Sequence, residues 1–149
     1  LVTTGGAAVW GNPTEMVIDK AGQTYTAGVG GITAAFVVYK NAVAGTVLHA
    51  DATVLGTSNT IIGTARASAL AGASVVVDNF GIVTLFADAA SAFVPGALVY
   101  LSETTGQVST VAPSTSGTAV VILGYANTAG GPSGTFTAYW DPRTPVVNP

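Results

Sequence analysis

The sequence predicts an all-β fold: a compact β-sandwich or β-barrel of short antiparallel strands, with an internal duplication and extended termini. Three observations predict it. Short runs of Val, Ile, Thr, Tyr and Phe alternate along the chain with Gly, Asn, Asp, Pro and Ser, the pattern of strands and turns. Helix signals are scarce, since the Ala-rich pieces at 65–73 and 87–92 lack the length and periodicity of a stable amphipathic helix. A stretch of the first half also recurs in the second.

In chain order, residues 1–14 read as a Gly-containing arm without periodicity. The β domain follows over 15–141. Within it, 15–19 and 24–27 read as short strands, and 34–40 and 45–50 as a pair joined across 41–44. Residues 60–65 form another strand. Residues 74–77 and 82–86 read as a hairpin around "DNFG", where Gly81 can take the positive φ that closes such a turn. Residues 97–101 and 107–111 pair around "SETTG", and strands at 118–126 and 135–140 complete the domain. The tail 142–149 holds three of the seven prolines, which forbid regular pairing there. Both ends are expected to lack internal structure and to reach neighbouring chains.

The duplication emerges at an offset of 61 residues. Residues 38–65 and 99–126 align without gaps, with nine of 28 positions identical. Biased composition alone gives roughly three. The identities include Val38/Val99, Tyr39/Tyr100, Gly45/Gly106, Gly63/Gly124 and Ala65/Ala126. The matched glycines fall at turns, where the backbone supplies a reason to keep them. The repeats are placed at 34–86 and 95–140.

Composition bounds the function. Of 149 residues, 49% are hydrophobic and only 7% charged, against roughly 25% charged in ordinary globular chains. That balance opposes disorder. No apolar run approaches the roughly 18–20 residues of a spanning helix, so no membrane partner is expected. No signal-peptide pattern is visible. A weakly charged surface of Thr, Ser, Gly and Ala keeps neighbours apart poorly, which predicts that other subunits cover much of it. Four basic residues, Lys20, Lys40, Arg66 and Arg143, with a pI near 4.6, argue against nucleic acid as a partner.

Catalytic, cofactor and metal motifs are missing, and none of these sites is assigned. Without cysteine there is no disulfide, thiolate nucleophile or Cys-based zinc site. His49 and Asp51 share a strand face, but no further ligand stands near them. The seven acids are scattered, mostly at turns. No G-x-S-x-G elbow occurs, "GVGGIT" at 28–33 lacks the context of a dinucleotide loop, and "NPT" at 12–14 is no glycosylation site. Ser102 and Glu103 read as loop residues, because only the Gly and flanking strand residues of that turn recur in the first half. Trp10 and Trp140 lie near opposite ends of the chain, with Tyr125 and Tyr139 close to the second; such aromatic residues suit interfaces, and Trp10, Trp140, Tyr139 and Arg143 are the candidate contact residues.

Residues 94–129 carry Pro95-Gly96-x-Leu98-Val99-Tyr100-Leu101-Ser102, then Gly106-x-Val108, Ala112-Pro113-Ser114-Thr115 and Leu123-Gly124-x-Ala126. This pattern resembles structural proteins of tailed bacteriophages, among them capsid decoration proteins of the head-cement and head-fibre type. Residues 63–85 resemble the strand-turn-strand that often precedes it. The resemblance implies a non-enzymatic, often trimeric β module without a cofactor on the outer surface of the virion. It would bind the major capsid protein and copies of itself, and stabilise the shell. The arm and the Pro-rich tail depart from the simplest such proteins. The competing expectation is a receptor- or carbohydrate-binding module of a phage fibre or a bacterial surface adhesin, with Trp10 or Trp140 in its site.

Overall fold

A computed structural model describes residues 3–4, 7–8, 22–53 and 60–149. The expected strand at 15–19 lies outside the described residues. Fourteen strands and no helix occur among the described residues, an all-β fold as the sequence predicts. In the arm, β1 (Thr3–Thr4) pairs antiparallel with β2 (Ala7–Ala8).

Five strands close the first barrel: β3 (Gln23–Ala27), β4 (Val37–Lys40), β5 (Thr46–His49), β6 (Ile61–Ala65) and β7 (Ser74–Asp78). They join in the order β3-β5-β4-β6-β7. All neighbours are antiparallel except β3 and β5, whose parallel pairing matches Thr26 with Thr46. A second sheet runs in the order β10 (Val108–Ser109), β9 (Leu98–Leu101), β12 (Ile122–Ala126), β13 (Thr135–Trp140) and β8 (Ile82–Phe86). Its edges meet through a parallel bridge between Ala87 and Val108.

The two halves share one wiring. Adding 61 carries β4 onto β9, β6 onto β12 and the start of β7 onto that of β13. The bridge between Ile32 and Ala69 recurs between Phe93 and Gly130. The opening strands correspond one residue out of step: Thr24 faces Val76, and Thr84 faces Thr137. The similar units therefore begin at β3 and β8, and the break between them falls at 79–81. This corrects the repeat limits of 34–86 and 95–140. It also corrects the hairpin expected around "DNFG". Both edges of β7 are taken, by β3 and β6, so β8 pairs with β13 instead.

The repeated Gly of the I-φ-G-x-A pattern now has a cause. In both halves the register slips by one residue beside it, with Ile62 and Leu123 as the extra residues. A Cβ on Gly63 would lie 2.3 Å from the Asp78 carbonyl oxygen, and one on Gly124 1.8 Å from that of Tyr139. Only a hydrogen fits between these strands. The slip aims Ile62 and Leu123 at their respective cores.

Period-2 alternation fills the barrels. Ala27, Ile32, Val38, Val47, Ala65, Val75 and Val77 fill the first. Every one has a counterpart in the second core. Ile32 and Val75 become Phe93 and Phe136, whose rings stack at 4.1 Å, while Val77 becomes Ala138, so volume is redistributed.

The second core also takes in Val37, Ala50 and Ala52 from the outside of the first barrel. The backbone stitches this seam. Val37 N–H donates to Gly106 O at 2.8 Å, and Gly106 N–H to Ala50 O at 2.6 Å. Ala52 N–H donates to Ser102 O at 3.0 Å, and Ala119 N–H to Ala52 O at 2.8 Å. Gly106, at φ 76°, lies under the Phe36 ring, where a Cβ would come within 2.1 Å of Cδ2.

The tail corrects a further expectation. β14 (Val146–Val147) pairs antiparallel with β11 (Ala119–Val120). Its two residues stand between prolines and both keep their N–H groups, so a two-residue ladder escapes the proline restriction. Asn148 Nδ2 donates to Pro113 O at 2.7 Å and to Thr118 Oγ1 at 3.0 Å.

Two measurements check this packing. Gly106→Ala should lower unfolding free energy by about 2–4 kcal/mol, through overpacking and backbone strain. Gly117→Ala, with positive φ but open space around its Cβ, should cost only about 1 kcal/mol. Equal losses in urea titration would contradict the seam. Asn148→Ala should cost about 1–2 kcal/mol, independent of protein concentration, whereas a tail docked on another chain would give a concentration-dependent loss.

Candidate interaction surfaces

The strand phase sorts the expected contact residues. On β13, Phe136 and Ala138 point inward and Tyr139 outward. Trp140 continues the inward phase and packs half-buried against the second core. It is a wedge more than an open platform. Tyr139 is exposed and its ring tilts against Tyr125 at 6.0 Å. Arg143 is exposed; its guanidinium donates to Asp141 at 3.3 Å and its backbone N–H to Ile122 O. Trp10 lies outside the described residues.

Tyr139 belongs to a row that sequence reading missed. Register places Leu98 beside Tyr125, Tyr125 beside Tyr139, and Tyr139 beside Ile82. All four are on the outer face of the second sheet, 43%, 40%, 44% and 54% exposed in that order. Four adjacent strands thus present one apolar band to the surroundings. Contiguous exposed apolar surface of this kind marks a protein contact. A signal existed: the repeat alignment sets Leu98 and Tyr125 opposite Val37 and Thr64, with bulkier residues in the later copy.

Polar groups are mostly spent on turns. Ser102 is buried; its hydroxyl donates to Asp88 Oδ2 at 2.8 Å and accepts the Thr104 N–H at 3.0 Å. Glu103 accepts from the N–H and hydroxyl of Thr115. The 102–106 turn faces the first barrel, with the Thr105 hydroxyl on Asp51. It therefore serves the internal seam. Among the described residues, no three His, Cys, Asp or Glu side chains gather as a metal would need.

His49 sits at the edge of the seam. Its Nε2 accepts the Thr33 N–H at 2.9 Å, and its ring tilts against Phe36 at 5.0 Å. Burial pushes its pKa below the ordinary histidine value. The Phe36 ring in turn meets Phe86 of the second barrel at 5.5 Å. Arg66 and Asp78 form an exposed ion pair, which raises the arginine pKa and contributes little stability.

The chain is thus a pair of similar β units with short turns and an exposed apolar band on the second. A sequence model of phage cement protein matches residues 31–140, most of both barrels and well over half of the chain. The chain belongs to the phage cement protein family and is a structural protein of the bacteriophage virion, associated with the capsid. No curated protein sequence matches the chain.

The histidine supplies a pH prediction. Its folded pKa is depressed, so the unfolded chain binds the proton more readily. Its neutral form is fully accommodated above the unfolded value near 6.5, and stability falls as pH drops through and below it. Melting temperature should decline between pH 7.5 and 5.5. His49→Gln should flatten that decline, and an unchanged slope would contradict the assignment.

Proposed function

We propose that the chain decorates the outer surface of a bacteriophage capsid. It binds the major capsid protein and further copies of itself as a trimer, and cements the shell by contact, without catalysis. The observation that carries this reading is the family match, which runs through both barrels. The physical features agree. Burial of weakly charged surface can hold such a contact, and a rigid body loses little conformational entropy on docking. With few charges, the chain has little desolvation cost to offset at such a contact. Nucleic acid is a poor partner for the same reason, and Arg66 and Arg143 already face Asp78 and Asp141.

The test uses capsids assembled without the protein. Purified chain should co-sediment with them to a saturating stoichiometry and raise the temperature at which packaged DNA escapes. Absence of saturable binding, or binding that leaves DNA escape unchanged, would overturn the proposal.

A further inference from the structure

The internal seam has two sides, and each side occurs a second time in the chain without a cover. On the first barrel, Val37, Ala50 and Thr64 form the covered side. Val37 and Thr64 are 0% and 1% exposed, and the Thr64 hydroxyl donates to Thr84 O at 2.9 Å. Adding 61 carries these three residues onto Leu98, Val111 and Tyr125, all exposed. Each is larger than its counterpart and apolar or aromatic, as a second contact of the same kind requires.

The covering side of the seam consists of the Thr84 carbonyl oxygen and the Phe86 ring on β8, together with the turn ending at Gly106; Thr84 itself is exposed. Its counterparts on the first barrel are Thr24 and Thr26 on β3 and the turn ending at Gly45. Both threonines and Gly45 are exposed. A Cβ on Gly45 would meet nothing within 4 Å, whereas one on Gly106 strikes Phe36. The socket exists at one end of the chain and the plug at the other.

The geometry points to head-to-tail self-association: the face of one chain on which register sets Leu98 beside Tyr125 seats the Thr24, Thr26 and Gly45 face of a second copy, repeating between chains the contact that joins the barrels within one. Such a contact is heterologous, so it closes into a ring when its rotation divides a full turn. A ring of three chains would present six similar barrels. Ala97 stands where the seam has Phe36, which leaves room at the intermolecular contact for the larger Leu98 and Tyr125 side chains.

This inference rests on the self-association within the proposed function, but the two fail separately. Full-length protein would be made with Leu98→Lys and Tyr125→Lys together, blocking the socket, and with Thr24→Lys and Thr26→Lys together, blocking the plug. Sedimentation velocity should show the unaltered chain as an oligomer and each variant alone as a monomer, its self-association at least about tenfold weaker. An equimolar mixture should give a one-to-one dimer and nothing larger, because one intact contact remains and the other sets lysines against lysines. If the first pair lowers the melting temperature markedly, Leu98→Lys alone replaces it. Assembly by either folded variant alone, a mixture that stays monomeric, or a monomeric unaltered chain would overturn the inference. A monomeric chain that still saturates capsids would leave capsid decoration standing and remove only the self-association from the proposed function. A ring that ignores capsids would do the reverse.

Discussion

The structure depends on one constraint: the side of the first barrel's outer face that carries Val37, Ala50 and Thr64 has to be dry. Val37 and Val38 are adjacent, so they point to opposite sides of β4, and both are fully buried. Val38 fills the first barrel, while Val37 joins the second core. A five-stranded barrel of short strands buries little by itself, and small domains are marginal for that reason. Lending Val37, Ala50 and Ala52 to a larger core lets both barrels share one body of buried apolar surface. The backbone bonds around Gly106 then fix orientation, since neither carbonyl nor N–H there can reach water without opening the seam.

Duplication explains how such a seam arises and why its parts are uneven. Both halves keep the bulge at Gly63 or Gly124, because a side chain there would strike the next strand. They keep the barrel interior in outline while exchanging volumes, as cores tolerate. They differ on the outside, where one copy must meet a barrel and the other meets whatever the assembly offers. Val37 against Leu98 and Thr64 against Tyr125 record that difference. Membership of the phage cement protein family sets the open face in a capsid-associated protein.

Much of this was legible in the sequence. Strands at 37–40, 46–49, 61–65, 98–101, 122–126 and 135–140 were marked by β-branched runs between turn residues, and local chemistry decides such elements. The duplication was visible because its glycines are fixed by backbone geometry. The two local hairpins, β4 with β5 and β9 with β10, were legible, whereas the longer-range pairing partners were not. "DNFG" has good hairpin chemistry, yet the edge of β7 was already occupied by a strand about fifty residues upstream. The tail was misread because three prolines overshadowed the two valines between them. Tyr139 and Tyr125 stood out as aromatic contact candidates, but Leu98 and Ile82 did not. A Leu or Ile in a strand reads the same whether it faces a core or a neighbour, and only register shows the row.

The most direct test is a reconstruction of the decorated capsid at a resolution that separates strands. The account predicts paired barrels standing outside the shell, with Leu98 and Tyr125 of each chain covered by β3 and the 41–45 turn of the next. Chains bound singly with that face open to solvent, or density on the inner side of the shell, would contradict it.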